Sequence, residues 1–309
     1  MPKRLMRRIY RKLFPVNHTE EIQLNIIKGN NVSVDPSSII SPTGKVTLSN
    51  NSYIGRQVEI GAITHIEIGF NSSIQDRCII LGDVEIGNYC TFAPNVYISS
   101  GRHYYNLKPN YYIKDQDELV SSDSTLSKQH SKKVTIGDDC WLGINSVIMS
   151  GLSIGRGCVI GANSVVTKNL EPFSVVAGAP AKLIKKRLDF IPKTIIKFDE
   201  ENDLPNFYKG FFIDVKSLKE FKTQGGIASS FAFTCYLQNN TKKIVITIKK
   251  LVSNTITISY NNQNQQLDTN DFVTLTFDAI QTNYHKFSIH QITDKYQQCA
   301  LIKSVEVLN

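Results

Sequence analysis

The chain has 309 residues, 41% of them hydrophobic, enough for two domains with cores of their own. Its 35 Lys and Arg exceed 27 Asp and Glu, a net charge of +8 that suits an anionic partner: a phosphorylated cosubstrate, an acidic membrane surface or nucleic acid. No stretch approaches the ~18 apolar residues of a membrane span, and the N-terminus lacks the apolar core and cleavage site of a signal peptide, so a cytoplasmic protein is expected.

Residues 1–20 form a basic leader. Within residues 1–15, Leu5, Ile9 and Leu13 recur at helical spacing among Lys3, Arg4, Arg7, Arg8, Arg11 and Lys12. One reading is an amphipathic helix peripheral to the inner face of an anionic cytoplasmic membrane. The other is a solvated, frayed tail.

Over residues 21–190 a period of six takes over. Ile68, Ile74, Ile80, Ile86, Phe92 and Ile98 form one run, and Ile136, Leu142, Ile148, Ile154, Ile160 and Val166 another. That period fits neither an α-helix nor a flat strand; it predicts a parallel β-helix with three hexads, about 18 residues, per coil. Ile54 and Ile60 lead in, and the next anchor falls at Ile68 rather than Ile66, an insertion of two residues. Cys78, Cys90, Cys140 and Cys158 each lie four residues after an anchor, in a slot otherwise held by Ser72, Val84, Val96, Ser146 and Ser164. They read as small core side chains rather than metal ligands or disulfides.

The beat stops over residues 104–135, a polar excursion rich in tyrosine (Tyr104, Tyr105, Tyr111, Tyr112). Long excursions from regular scaffolds are usually functional. Residues 181–190 read as a short basic helix and 191–206 as a linker. Over 207–309 alternating strand-like runs such as Lys243–Lys249 and Phe272–Phe277 predict a β-sandwich. The expected fold is all-β: a parallel β-helix with a long loop excursion and short helical segments, then a jelly-roll-like C-terminal sandwich.

The hexads, Trp141-Leu142-Gly143, Gly161-Ala-Asn-Ser-Val-Val-Thr-Lys168 and Ala177-Gly-Ala-Pro-Ala-Lys182 occur together and in order. In this, residues 50–190 resemble the hexapeptide-repeat acyltransferases, in the branch with galactoside, maltose, xenobiotic and polysaccharide O-acetyltransferases. The resemblance implies a left-handed β-helix, a homotrimer, and acetyl-CoA in the groove between neighbouring solenoids. It implies a general-base role for His103, which closes Asn95-Val-Tyr-Ile-Ser-Ser-Gly-Arg-His103, with Asn95 near the acceptor. A sugar hydroxyl becomes a competent nucleophile only as its proton leaves, and imidazole titrates in the right range to take it. Trp141 is implied beside the thioester or the acceptor; Ala162, Thr167, Lys168, Lys182 and Lys185 near the cofactor, with Lys186 and Arg187 adding charge. Gly143 and Gly161 would let backbone approach pantetheine. Tyr104 and Tyr105 offer aromatic faces to a sugar ring.

The activity expected is O-acetylation of a sugar hydroxyl in a bacterial capsule, O-antigen or lipid-linked precursor, without metal. The rivals are N-acetylation of an amino-sugar nucleotide and a non-enzymatic glycan-binding scaffold. A zinc site would need convergent imidazoles, and His65, His103 and His130 are far apart in sequence. Nucleic-acid binding has only net charge behind it and is not expected.

Overall fold

A computed structural model describes residues 25–41, 43–123, 132–212, 226–229, 232–239, 242–290 and 298–308. The basic leader, read as a membrane-binding helix, lies outside them. The chain divides into two compact units between Leu188 and Asp189.

The first unit is a parallel β-solenoid. Each hexad contributes a two-residue strand, as at Trp141–Leu142, Val147–Ile148 and Ser153–Ile154, and these lie on a first, second and third face. Coils stack in strict register: Thr91, Trp141 and Val159 align on the first face, Tyr97, Val147 and Val165 on the second, and Glu85, Thr135 and Ser153 on the third. The anchors point inward, where Ile74, Ile80, Phe92, Ile98 and Leu142 are fully buried in one continuous core. The early insertion is a local break in pairing: Ala62 aligns with Gly82, but Ile66 with Val84, so two extra residues bulge out around exposed Ile63.

The corners carry the turns. Asn95, Asn145 and Asn163 stack at the corner between first and second faces with φ of 61°, 58° and 55°. Asparagine tolerates this left-handed region better than other side-chain-bearing residues. The four solenoid cysteines are buried and free, as their slot implied. Each thiol donates to a backbone carbonyl, for example Cys78 Sγ to Ala93 O at 3.2 Å and Cys140 Sγ to Gly155 O at 3.3 Å. Burial pushes the Cys78 thiol up to about 11 and that of Cys140 well above its usual value.

Two expected elements are corrected at the end of this unit. Residues 181–190 are not a helix: Lys182–Lys186 is a strand, antiparallel to Ser174–Ala177. The last coil would otherwise leave a row of unpaired backbone groups, and the chain turns back at Ala179-Pro180 to satisfy them. Residues 191–206 are not a linker. Ile195–Lys197 pairs antiparallel with Glu306, Val305 and Ser304, burying Ile196 fully, and Glu201–Asn206 forms a 3-10 helix. Asp203 fixes this stretch by accepting from Lys197 N at 2.8 Å and pairing with Lys193.

Among the described residues, eight strands of the second unit form its sandwich, beside the shorter Ile195–Lys197, Phe207–Lys209 and Phe211–Phe212: β1 (Gly226–Ser229), β2 (Ala232–Tyr236), β3 (Lys243–Lys250), β4 (Ile256–Tyr260), β5 (Gln263–Leu267), β6 (Val273–Asp278), β7 (Tyr284–His290) and β8 (Gln298–Leu308). One sheet contains the order β1-β8-β3-β6 and the other β2-β7-β4-β5. The antiparallel pairs β1/β8, β2/β7, β3/β6 and β4/β5 are nested hairpins, the arrangement of a jelly roll. Phe207–Lys209 extends the second sheet beside β2.

His285 is wholly buried in the second unit. The Tyr260 hydroxyl accepts from Ile280 N at 3.2 Å, leaving its own proton to donate to His285 Nδ1, 2.8 Å away. Burial pushes the His285 imidazole below its usual value. Unfolding then takes up a proton once the pH falls below the reference value of 6.5. Stability is therefore level above that pH and falls as the pH drops toward the lowered folded value. Thermal unfolding of the second unit at pH 7.5 and pH 5 checks this; His285→Gln should flatten the difference.

Candidate active site

The excursion leaves the solenoid after Tyr97–Ser99 on the second face and returns at Val134–Ile136 on the third. Lys132 N donates to Ser100 O, and Gly151 N to Lys132 O, tying its return to the corner stack. Expected only as polar loop, it contains a helix, α1 (Ile113–Ser122). Gln116 and Val120, one turn apart, are its buried residues. The Gln116 amide accepts from Lys108 N at 3.0 Å and donates to Tyr111 O at 3.1 Å, pinning the preceding loop to the helix.

His103 stands at the root of the excursion with its side chain 82% exposed. Its Nδ1 donates to Asp117 Oδ2 at 2.6 Å, while Asp117 Oδ1 accepts from Tyr104 N at 2.8 Å. Asp117, on α1, thus binds the ring and the adjacent backbone together. With the proton held on Nδ1, Nε2 presents its lone pair outward, the tautomer a general base requires. Sequence reasoning missed Asp117. It lies 14 residues from His103, and nothing in the local pattern marks it.

Tyr104 is buried and Tyr105 is 69% exposed, so of the two only Tyr105 offers a broad face to solvent. Arg102 lies over the Tyr104 ring, 5.1 Å from its centroid. Asn95 is committed elsewhere: its Oδ1 accepts from Arg77 at 2.9 Å and its Nδ2 donates to Asn145 Oδ1 at 2.9 Å, within the corner ladder.

Trp141 projects outward from the first face, 55% exposed. With Tyr89, Thr91, Asp139, Val159 and Arg187 it lines a hollow of ≈ 380 Å³. Arg187 is held there by Asp139 Oδ2 at 2.7 Å. Lys186 donates to Pro172 O and Ser174 Oγ, both at 3.1 Å, and so fastens the terminal strand. Lys182 and Lys185 are exposed on that strand.

Gly143 and Gly161 have a structural explanation that pantetheine does not supply. A Cβ on Gly143 would lie 2.6 Å from Ala162 N, and one on Gly161 2.9 Å from Ala177 Cβ. Successive coils approach too closely there for a side chain. Gly143→Val is expected to cost about 1–3 kcal/mol by overpacking, read as a lower thermal midpoint.

The remaining residues fall into two groups. Thr167 and Lys168 are exposed where the chain leaves the second face, at the same kind of corner as His103 and two coils further on. Asn95, Trp141, Gly143, Gly161, Ala162, Lys182 and Lys185 belong to the first face, its extension or its corner with the second. In a three-sided coil, the corner bearing His103 is opposite the first face. One chain therefore does not bring His103 and Trp141 together. Among the described residues no three His, Cys, Asp or Glu side chains cluster as metal ligands, and no helix is long and apolar enough to cross a membrane.

Residues 65–100 and 133–168 match the family described as bacterial transferase hexapeptide (six repeats). Both stretches lie in the solenoid, and over them this chain is similar to that hexapeptide-repeat family. It is similar to a chloramphenicol acetyltransferase of Klebsiella aerogenes, 37% identical over 106 residues, covering 33% of this chain and 50% of the relative. It is also similar to the galactoside O-acetyltransferase of Escherichia coli K12, 29% identical over 144 residues, covering 45% of this chain and 63% of the relative. Among solved structures, a maltose O-acetyltransferase from Clostridium difficile 630 is 26% identical, covering 55% of this chain and 75% of that one, with a TM-score of 0.34. The chain thus spans about half to three-fifths of the length of these curated relatives.

Proposed function

We propose that this protein is an acetyl-CoA-dependent O-acetyltransferase acting on a sugar hydroxyl of a bacterial surface polysaccharide or its lipid-linked precursor. The observation that carries the reading is the His103–Asp117 pair at the lip of the excursion. The repeat family and the relatives, which are named acetyltransferases, support it.

His103 Nε2 takes the proton of the acceptor hydroxyl as the oxygen attacks the thioester carbonyl. Asp117 stabilises the imidazolium that forms. Collapse of the tetrahedral adduct breaks the C–S bond, and the imidazolium returns its proton to the departing thiolate. Tyr105 offers a face to the sugar. Trp141, Ala162, Thr167, Lys168, Lys182 and Lys185 contact acetyl-CoA, and Arg187 and the hollow beside Trp141 extend that surface. A basic leader would favour an acceptor held at an anionic membrane.

The placement of His103 and Trp141 on opposite sides of the coil favours a homotrimer, with each site built from two neighbours. Co-refolding inactive His103→Ala with inactive Trp141→Ala chains should restore part of the activity; no recovery would count against a shared site.

The reaction itself is tested by release of CoA thiol with bacterial polysaccharides and simple galactosides as acceptors. An alkali-labile acetyl ester on the sugar is expected. An alkali-stable amide would replace this reading with N-acetylation, and turnover unaffected by His103→Ala would remove His103 as the base.

A further inference from the structure

The second unit presents a polar trough that the transferase reading does not use. Along the sheet containing β2, β7, β4 and β5, alternate residues point into the jelly roll: Phe233, Cys235, His285, Phe287, Ile289, Ile256, Ile258 and Tyr260 are all buried. The intervening residues face outward. Thr257, Ser259 and Ser288 are small and half-buried, and they form a floor. Asn264, Gln266, Lys286 and His290 are exposed and rise around it, together with Asn261 and Asn262 of the β4–β5 turn. Two adjoining hollows of ≈ 490 and ≈ 690 Å³ share Ser259, Asn264 and His290.

The pairing register explains the trough. Ser259 is flanked by Ser288 on β7 and Asn264 on β5, and Thr257 by His290 and Gln266. Small hydroxyl residues on the central strand thus lie between longer polar ones. The turn residues Asn261 and Asn262, both at positive φ, carry side chains to one end.

The chemistry of the lining is selective. It holds four carboxamides, three hydroxyls, one imidazole and one ammonium, and no carboxylate. Among the described residues none of these nine side chains makes an intramolecular hydrogen bond. The adjacent residues of the same edge strand behave differently: Gln263 donates to Asp278 O at 3.0 Å and Gln265 to Thr276 O, bridging to the opposite sheet. Strand β5 therefore uses alternate amides to close the sandwich and turns the others to the trough. Paired amide donors and acceptors match vicinal hydroxyls, and Lys286 adds a single positive charge.

The same outer face carries aromatic rings further along β7. Tyr284 lies 5.0 Å from Tyr208 and 4.8 Å from Tyr236, centroid to centroid, and Tyr236 stacks on Phe190 at 4.1 Å. From Tyr284 to His290 the strand spans about 20 Å, with Lys286 and Ser288 between. A hydroxyl-rich chain laid along it would meet an aromatic platform, then a cation, then amides and hydroxyls.

We propose that this face is a glycan-binding site that takes an oligosaccharide segment, with Lys286 facing an acidic substituent. It would hold a polymer independently of the catalytic centre, and it stands on the second unit alone.

The test uses the full chain on a printed array of bacterial surface glycans in three sets: neutral, uronate-bearing and phosphodiester-bearing. Retention of acidic glycans above neutral ones is expected. Asn264→Ala/Gln266→Ala/His290→Ala should weaken retention at least tenfold, and Lys286→Glu should abolish the preference for the acidic sets. Acetyl-CoA binding and the thermal midpoint should stay unchanged in both variants, which separates failure here from failure of the transferase reading. An array that retains no glycan, or a triple variant that binds like wild type, would overturn the proposal. Equal retention of neutral and acidic sets would remove the assignment of Lys286.

Discussion

His103→Ala is expected to slow acetyl transfer by about 10²–10⁴-fold, the usual contribution of a positioned general base. Acetyl-CoA affinity should stay within about twofold, because the imidazole acts on the acceptor proton rather than on the nucleotide. The fold should be untouched: the His103 side chain is 82% exposed and leaves no cavity when removed. Two measurements check this, the rate of CoA thiol release at saturating acetyl-CoA and calorimetric titration of acetyl-CoA. Loss of both in a folded protein would assign His103 to donor binding instead.

The second large effect is expected from Asp117→Asn. An asparagine Oδ1 can still accept from Tyr104 N, so the bond that tethers the backbone survives. The other head group becomes an NH₂ donor facing Nδ1, which now has to accept. That moves the ring proton to Nε2 and removes the lone pair aimed at the acceptor. In a serine-protease triad the equivalent change costs ~10⁴-fold; for this more exposed pair a fall in kcat of about 10²–10³-fold is expected. KM for acetyl-CoA and the thermal midpoint should hold, and Asp117→Glu should recover part of the rate. If kcat and the midpoint fall together and Glu gives no recovery, Asp117 is serving α1 rather than His103.

The solenoid was legible in the sequence because its rule is local. Each anchor, from Ile68 to Val166, is buried by its place in a six-residue beat, and the slip around Ile63 is visible as a missed beat. The cysteine slot followed from the same count. The jelly roll was legible as alternation, but its strand order depends on contacts such as Ala228 with Ala300, which no local pattern encodes. The lysines of Lys182–Lys186 fit helical spacing, and the neighbouring edge that makes the segment a strand lies outside it. Gly143 and Gly161 read as places where backbone can approach a ligand, and the next coil gives each a further reason to lack a side chain. His103 enters the candidate site through the resemblance, which implies a general-base histidine where the beat stops. Asp117 was not legible, because the excursion must fold back before a carboxylate on α1 can reach the ring.

The buried cysteines also make the protein its own stopwatch. All six thiols are free and shielded, four spread along the solenoid and two, Cys235 and Cys299, in the jelly roll. A water-soluble disulfide reagent can reach them only when the surrounding structure opens. Labelling followed by mass would count how many thiols react in each burst, and peptide mapping would say which. Neighbouring coils that open as a unit would release Cys140 and Cys158 at one rate, whereas fraying from an end would release them in succession. The time course would thus read out how far cooperativity reaches along a stack in which each coil touches only the next.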